Sequence, residues 1–367
     1  MAETELPEPD RVEGAPHPRE TPVLFGHASA EAAFLQAFNA GRLHHGWLIT
    51  GPRGVGKATL AWKIARFLLA HEDGMFTPDT LDVAPDHPVA RRTVALSEPR
   101  LFLLRRGANA TGSNLSADIR VDEVRKMKTF FTLSAADGGR RVAIVDAADE
   151  LAPAGANAIL KLLEEPPEGV TLMLISHQPS RLLPTIRSRC RELRLTALEP
   201  SDMRDALVQA GAVVDDPAPL AELGGGSVGE AVRLLNLDGL ALYQQMVDMM
   251  RTLPRLDRPR ALALADAGAA RGADTRFDMI VGLIDLMLAR MARAGTLGYL
   301  PPDAAKGEGD MIERLSPSPR AGLVWAELQQ TLGQRARRGK AVNLDPAALL
   351  MDMFLKIDET AATLART

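Results

Sequence analysis

The sequence predicts an α/β fold, a mostly parallel sheet with flanking helices, followed by an all-helical remainder. Three observations carry that expectation. Between about Pro22 and Leu195 short apolar runs alternate with helical patterns, a glycine-rich turn joins one such run to a helix, and beyond Pro200 the strand signals stop.

Taken in order, residues 1–20 carry Pro7, Pro9, Pro16, Pro18 and several Glu, with no apolar stretch suited to a signal peptide, and read as a disordered leader. The strands that follow are Trp47 to Thr50, Leu101 to Leu104, Val142 to Val145 and Leu172 to Ser176, runs of the length and oiliness expected where both faces are covered. Leu60, Ile64, Phe67 and Leu68 repeat at helical spacing just after the glycine turn. Residues 72 to 98 lack periodicity and hold Pro78, Pro85 and Pro88, so an irregular excursion is expected there. Val121, Val124, Lys128 and Phe131 are expected to share a helix face, with Asp122 and Glu123 in the first turn where the helix dipole favours acids. A further helix runs through Asn157, with Ile159, Leu162 and Leu163 on one face, and stops at Pro166-Pro167.

The boundaries drawn from these shifts are a leader over 1–20, an α/β domain over 21–195, a small helical domain over 196–245 and a helical domain over 246–367. Gly224 to Gly229 separates two helices of the small domain. In the last domain Phe277, Ile280, Ile284, Met287, Leu288 and Met291 repeat at i, i+3, i+4, a face read as core because Met fills gaps without chemistry. Leu349, Leu350, Met353 and Leu355 form another apolar stretch, and the basic cluster Arg335, Arg337, Arg338 and Lys340 reads as a solvated loop.

Composition narrows the class. With 367 residues, 46% hydrophobic and 25% charged, the chain can build more than one ordinary core. A net charge of −4 argues against gripping nucleic acid by bulk electrostatics. The single cysteine, Cys190, excludes an internal disulfide and a multi-cysteine zinc site, and reads as a small buried hydrophobe. One cysteine fits the cytoplasm best, and the apolar segment Met279 to Met291, interrupted by Asp285 and Arg290, falls short of a membrane span.

The chemistry concentrates in Gly51-Pro-Arg-Gly54-Val-Gly56-Lys57-Ala58-Thr59. A G-x-x-x-x-G-K loop between strand and helix lets backbone N–H groups cradle phosphates while the Lys ammonium reaches the terminal ones. The next residue should carry a hydroxyl for Mg²⁺. Position 58 is Ala, and Thr59 is one step out of register, so a bound metal is not expected. Arg141 to Asp146 is a strand ending in an acid, the place of the carboxylate that orients Mg²⁺ and its water in such proteins. Hydrolysis needs a base beside it, and Ala147 offers none. A rival register would use Asp149 and Glu150, at the expense of burying Asp146 inside the strand.

With Ser188-Arg189-Cys190 past the fourth strand, these elements resemble the AAA+ clamp-loader subunits of bacterial DNA polymerase III. The entry segment Leu43 to Leu48, the loop Gly51 to Lys57, the helix Asn157 to Pro167 and the Ser-Arg-Cys tripeptide occur in that family's order, and the likeness covers nearly everything after residue 21. The resemblance implies a P-loop AAA+ domain, a lid domain and an all-α collar domain. It also implies that Arg189 is a finger entering a neighbouring subunit's ATP site in trans. Departures at Ala58, Ala147 and Gly229, where hydrolysing members carry Ser or Thr, Glu and a nucleotide-sensing Arg, select the family's non-hydrolysing type. The implied partners are gamma/tau motor subunits and a delta subunit, with the sliding clamp and primed DNA reached through the assembly. The degenerate site would consist of Gly51, Gly54, Gly56, Lys57, Thr59 and Asp146, holding at most ATP or ADP weakly and uncleaved. The four cysteines that hold zinc in many relatives are absent, so no zinc is expected. The rival reading is an ATP-hydrolysing subunit working through Asp149 or Glu150, and a third is a P-loop nucleotide-sensing module with no replication role.

Overall fold

The computed structural model describes residues 8–71, 77–109, 115–133, 139–270 and 274–366. The chain forms two compact units, Met1–Val214 with Gly226–Glu230, and Asp215–Gly225 with Ala231–Thr367. The stretch 196–245, expected as one small domain, is thus divided between them. The reason is local: the turn at Ser227 and Gly229 packs on Gly54 of the glycine loop.

The first unit runs α1 (Ala28–Asn39), β1 (Gly46–Thr50), α2 (Lys57–Ala70), α3 (Pro88–Val94), β2 (Leu101–Arg105), α4 (Val121–Leu133), β3 (Arg141–Asp146), α5 (Pro153–Glu164), β4 (Val170–Ser176), α6 (Pro184–Arg187), β5 (Arg191–Arg194) and α7 (Pro200–Gln209). The five strands pair in the order β2-β3-β4-β1-β5, every pair parallel. Alternate strand residues serve opposite faces. Trp47, Ile49, Val142, Ile144, Met173 and Ile175 pack with α1 and α2. Leu48, Ala143, Val145, Leu172 and Leu174 pack with α4 and α5. This is a parallel α/β sheet with helices on both faces, and it sets the glycine loop at the carboxyl end of β1, where open parallel sheets present their ligand crevice.

Several expectations change. Residues 8–20 are not a disordered leader: His17 is fully buried, stacks edge-on against Trp62, and donates from Nε2 to the Asp10 carboxylate at 3.1 Å. Residues 1–7 and 72–76 lie outside the described residues, and the rest of the 72–98 excursion includes α3, begun by Pro88 and capped by His87. On α4 the buried face is Val124, Met127 and Phe131, and Lys128 is exposed. β2 is only half-buried, as an edge strand. β5, with Leu193 alone buried, pairs to β1 through its backbone.

The second unit is helical: α8 (Ala218–Gly224), α9 (Val228–Asn236, its first turn in the first unit), α10 (Gly239–Met250), α11 (Arg258–Ala269), α12 (Asp274–Leu297), α13 (Glu308–Leu315), α14 (Pro319–Ala341) and α15 (Pro346–Leu364). Phe277, Ile280, Ile284, Met287, Leu288 and Met291 are buried along α12, as their spacing requires. Gly295 and Gly322 let α12 and α14 approach closely; a Cβ on Gly322 would stand 2.7 Å from the Ala292 carbonyl. The basic cluster is not a loop. Arg335, Arg337 and Lys340 ride on α14 and pair with Asp352, Asp285 and Asp278 of the neighbouring helices, because those acids face them across the bundle. At its centre Arg290, 2% exposed, donates to Glu308 at 2.7 Å and Glu222 at 3.1 Å, and Tyr243 donates to the same Glu308 at 2.5 Å. Among the described residues no helix is long and apolar enough to cross a membrane.

Candidate functional site

The glycine loop joins the buried β1 to α2, and its three glycines hold conformations with φ of +141° at Gly51, +77° at Gly54 and +104° at Gly56. Each is also a close approach: a Cβ would overlap the Leu195 carbonyl at Gly51 and the Ser227 hydroxyl at Gly54, and would meet Leu24 at 2.7 Å at Gly56. Lys57 opens α2 and is 2% exposed. Its ammonium donates to the carbonyls of Gly51, at 2.8 Å, and Pro52. Burial pulls its pKa down to about 8 against the attraction of Asp146 and Asp149. Ala58 packs against the apolar core, and Thr59 beside it is half-buried on α2.

Asp146 ends β3 opposite Arg105 of β2. Burial, then the carboxylates of Asp10 and Glu150, push its pKa up to about 7, with Lys57 and Arg53 opposing. Ala147, where a base would be needed, is a buried methyl group. The rival acids are engaged elsewhere. Asp149 accepts from the His177 backbone N–H at 2.9 Å, and Glu150 pairs with Arg106 at 2.8 Å and Arg53 at 3.2 Å.

Three neighbours have no counterpart in the sequence reading. Ser176 ends β4 and His177 follows it, and the Ser176 Oγ and His177 Nδ1 are buried without a hydrogen-bond partner. Burial first, then the charges of Lys57 and Arg53, drive the His177 pKa down to about 4, so its imidazole is neutral at pH 7. The available signal was a polar pair at the carboxyl end of a parallel strand. Asp10 is the third, its carboxylate bonded to Arg105 at 2.5 Å and His17 at 3.1 Å, and nothing local announced it.

Arg189 stands apart from all of these. It lies just before β5, and its carbonyl would be 3.3 Å from a Cβ on Gly46, the first residue of β1. The glycine loop follows the last residue of β1. Four strand steps, about 13 Å at 3.3 Å per residue, separate the two edges of the sheet, so Arg189 and Lys57 do not share a site within one chain. The Arg189 side chain is 39% exposed, its guanidinium donating to the Thr185 carbonyl and pairing with Glu164 at 3.1 Å. Cys190 is half-buried, its thiol pushed up to about 12 by burial, which keeps it un-ionised. No cluster of His, Cys, Asp and Glu among the described residues has metal-binding geometry.

The family model described as "DNA polymerase III, delta subunit" matches residues 26–199. DNA polymerase III subunit delta-prime of Pseudomonas aeruginosa is 33% identical over 213 residues, 58% of this chain and 61% of that protein. Over these stretches the chain is similar to subunits of DNA polymerase III. The delta-prime subunit of Bacillus subtilis is 28% identical over 200 residues, 54% of this chain and 56% of its own length. Gamma/tau of Mycobacterium tuberculosis is 32% identical over 270 residues, 68% of this chain and 44% of that protein. The chain therefore spans about three-fifths of the delta-prime relatives and under half of gamma/tau.

Proposed function

We propose that this chain is a delta-prime-type stator of the replication clamp loader, a non-hydrolysing subunit that lends Arg189 to the nucleotide site of an adjoining gamma/tau motor subunit. The observation that carries the reading is the separation of tools. The residue able to stabilise phosphate charge sits at the amino edge of the sheet, about 13 Å from the chain's own loop by strand geometry, and its partly exposed side chain is open to approach by a second subunit. A planar guanidinium brought to a transferring phosphate in a dry site is worth roughly 10³ to 10⁵ in rate. To act there it must leave Glu164, and an exposed pair of that kind costs only about 0–1 kcal/mol to break.

Ala58 and Ala147 supply neither the metal-binding hydroxyl nor the base, so ATP or ADP held by Lys57 and the loop would stay uncleaved. In this reading the chain works in the cytoplasm, with motor and delta subunits, on a sliding clamp and primed DNA, needs no metal, and performs its chemistry in the neighbour. The rival ATPase reading would have to free Glu150 from Arg53 and Arg106 first.

The test is reconstitution with motor and delta subunits, comparing Arg189→Ala with the parent for DNA-stimulated ATP hydrolysis. Loss of turnover at one motor site with assembly retained is expected. Unchanged turnover in a correctly assembled complex refutes the finger. Steady-state hydrolysis by the purified chain alone, abolished by Lys57→Ala, would instead establish the rival.

A further inference from the structure

Residues 8–27 do not leave the first unit but wrap its glycine loop. Leu24 lies against Gly56, and His27 bonds the Val55 carbonyl at 2.8 Å. Upstream, the Val12 side chain stands 3.3 Å from where a Cβ on Gly229 would be, and Gly229 itself donates its N–H to the Gly54 carbonyl at 3.3 Å. Position 229 is where the sequence lacks the nucleotide-sensing Arg. A longer side chain there would run into Val12 and Gly54.

Two residues earlier, the Asp10 carboxylate is 2% exposed. Arg105 holds it at 2.5 Å and His17 at 3.1 Å. Arg105 is the last residue of β2 and pairs in register with Asp146, so Asp10 is delivered to the carboxyl edge of the sheet, beside the acid of the nucleotide site. Glu8 adds bonds to Arg19 at 2.7 Å and Arg105 at 3.1 Å. Two of these contacts, from Asp10 and Glu8 to Arg105, tie the segment to the carboxyl edge of the sheet, where a P-loop protein receives its ligand, and the other two, to His17 and Arg19, brace it within itself. It brings carboxylates where phosphate oxygens would come, and like charges repel most strongly in a site out of water.

We propose that residues 8–17 are a built-in strap over this chain's own nucleotide site, latched by Arg105, and that nucleotide enters only when the latch opens. The inference rests on reading the loop and Lys57 as still able to hold nucleotide; it is independent of Arg189. The strap accounts for three features together: acids that find partners far along the chain, a fully buried His17 in a proline-rich segment, and a glycine where a sensing side chain would otherwise stand.

The test uses the full chain and the fluorescent analogue N-methylanthraniloyl-ATP, titrated with and without Mg²⁺. Two releases are compared: Arg105→Ala, and the double substitution Glu8→Gln with Asp10→Asn. The first removes a positive charge near the site and the second removes negative ones, so simple electrostatics moves their affinities in opposite directions. Unlatching moves both the same way. We expect both to tighten binding at least tenfold over the parent, with the gain abolished by adding Lys57→Ala, and with circular dichroism confirming that each variant is folded. Affinity unchanged in both folded variants overturns the strap. Affinity that falls in both overturns it too, because the segment would then be a wall of the site. Opposite changes reduce the effect to local charge and also refute it. Whichever way these fall, the Arg189→Ala assay in the assembled complex remains an independent measurement.

Discussion

Replacing Asp146 by Asn tests the electrostatics of the site on the isolated chain. A carboxyl carried from its ordinary 3.8 to about 7 by burial and by Asp10 and Glu150 is a group whose ionisation the fold resists. Its folded pKa lies above its unfolded one, so the folded state holds the extra proton between those values. Stability contributed by Asp146 is therefore fully present below about pH 4 and is lost as pH rises to about 7. The full linkage amounts to about 4 kcal/mol. That is a ceiling, because Asp10 and Glu150 can shift toward Arg105 and Arg106 when Asp146 ionises, and about 1–3 kcal/mol is the expected remainder. Asn keeps the shape and removes the titration. Calorimetric midpoints of parent and Asp146→Asn, taken from pH 4 to pH 8, should diverge progressively, with the variant the more stable above pH 7. A difference that stays constant across this range, or a variant less stable at pH 7.5, refutes the argument.

Lys57→Met should be stabilising near neutrality by about 1–3 kcal/mol. The Lys57 pKa is lowered to about 8, so the parent gains stability as pH rises from about 8 toward 10.5, a rise that calorimetry should find absent in the variant. Gly51→Ala should cost more than about 3 kcal/mol, since a positive φ and the Leu195 carbonyl both oppose a side chain. Gly41→Ala, at φ +63° with open space around it, should cost only about 1 kcal/mol, both glycine variants being read by urea titration. In the helical unit, Arg290→Ala leaves the fully buried Glu308 without its cation and should cost about 3–5 kcal/mol of stability, read by urea titration. A loss under about 1 kcal/mol would mean that water replaces the guanidinium.

What the sequence disclosed was what is encoded locally. Central strands of a parallel sheet must be oily on both faces, so β1, β3 and β4 announce themselves. The glycine loop needs its unusual backbone within six residues, and the face of α12 repeats every turn. The remainder depends on partners distant in the chain. β5 is Arg-Glu-Leu-Arg, and only its pairing with β1 makes it a strand. Arg337 and Lys340 look solvated until Asp285 and Asp278, over fifty residues earlier, stand opposite them. Asp10 looks like leader composition, yet 95 residues on Arg105 gives it a place. Ser176 and His177 join the site only because β4 lies beside β1.

The same distinction bears on what in the site speaks for a ligand. Gly51, Gly54 and Gly56 would be required with no nucleotide at all, because Leu195, Ser227 and Leu24 occupy the space of any side chain. Their presence explains itself by packing. Lys57 does not. An ammonium buried among loop carbonyls, its pKa drawn down to about 8, lowers the stability of the chain at neutral pH, and a methionine of similar length would fill the same space at less expense. The two unpartnered polar atoms at Ser176 and His177 carry a similar penalty, since each lacks the bond it would have in water. Packing asks for none of the three, while an anionic ligand would satisfy Lys57 by charge and offer a hydrogen-bonding partner to Ser176. If Lys57→Met proves as destabilising as a core truncation, the ammonium is a structural pin for the loop, and the case for residual nucleotide binding at this site loses its support.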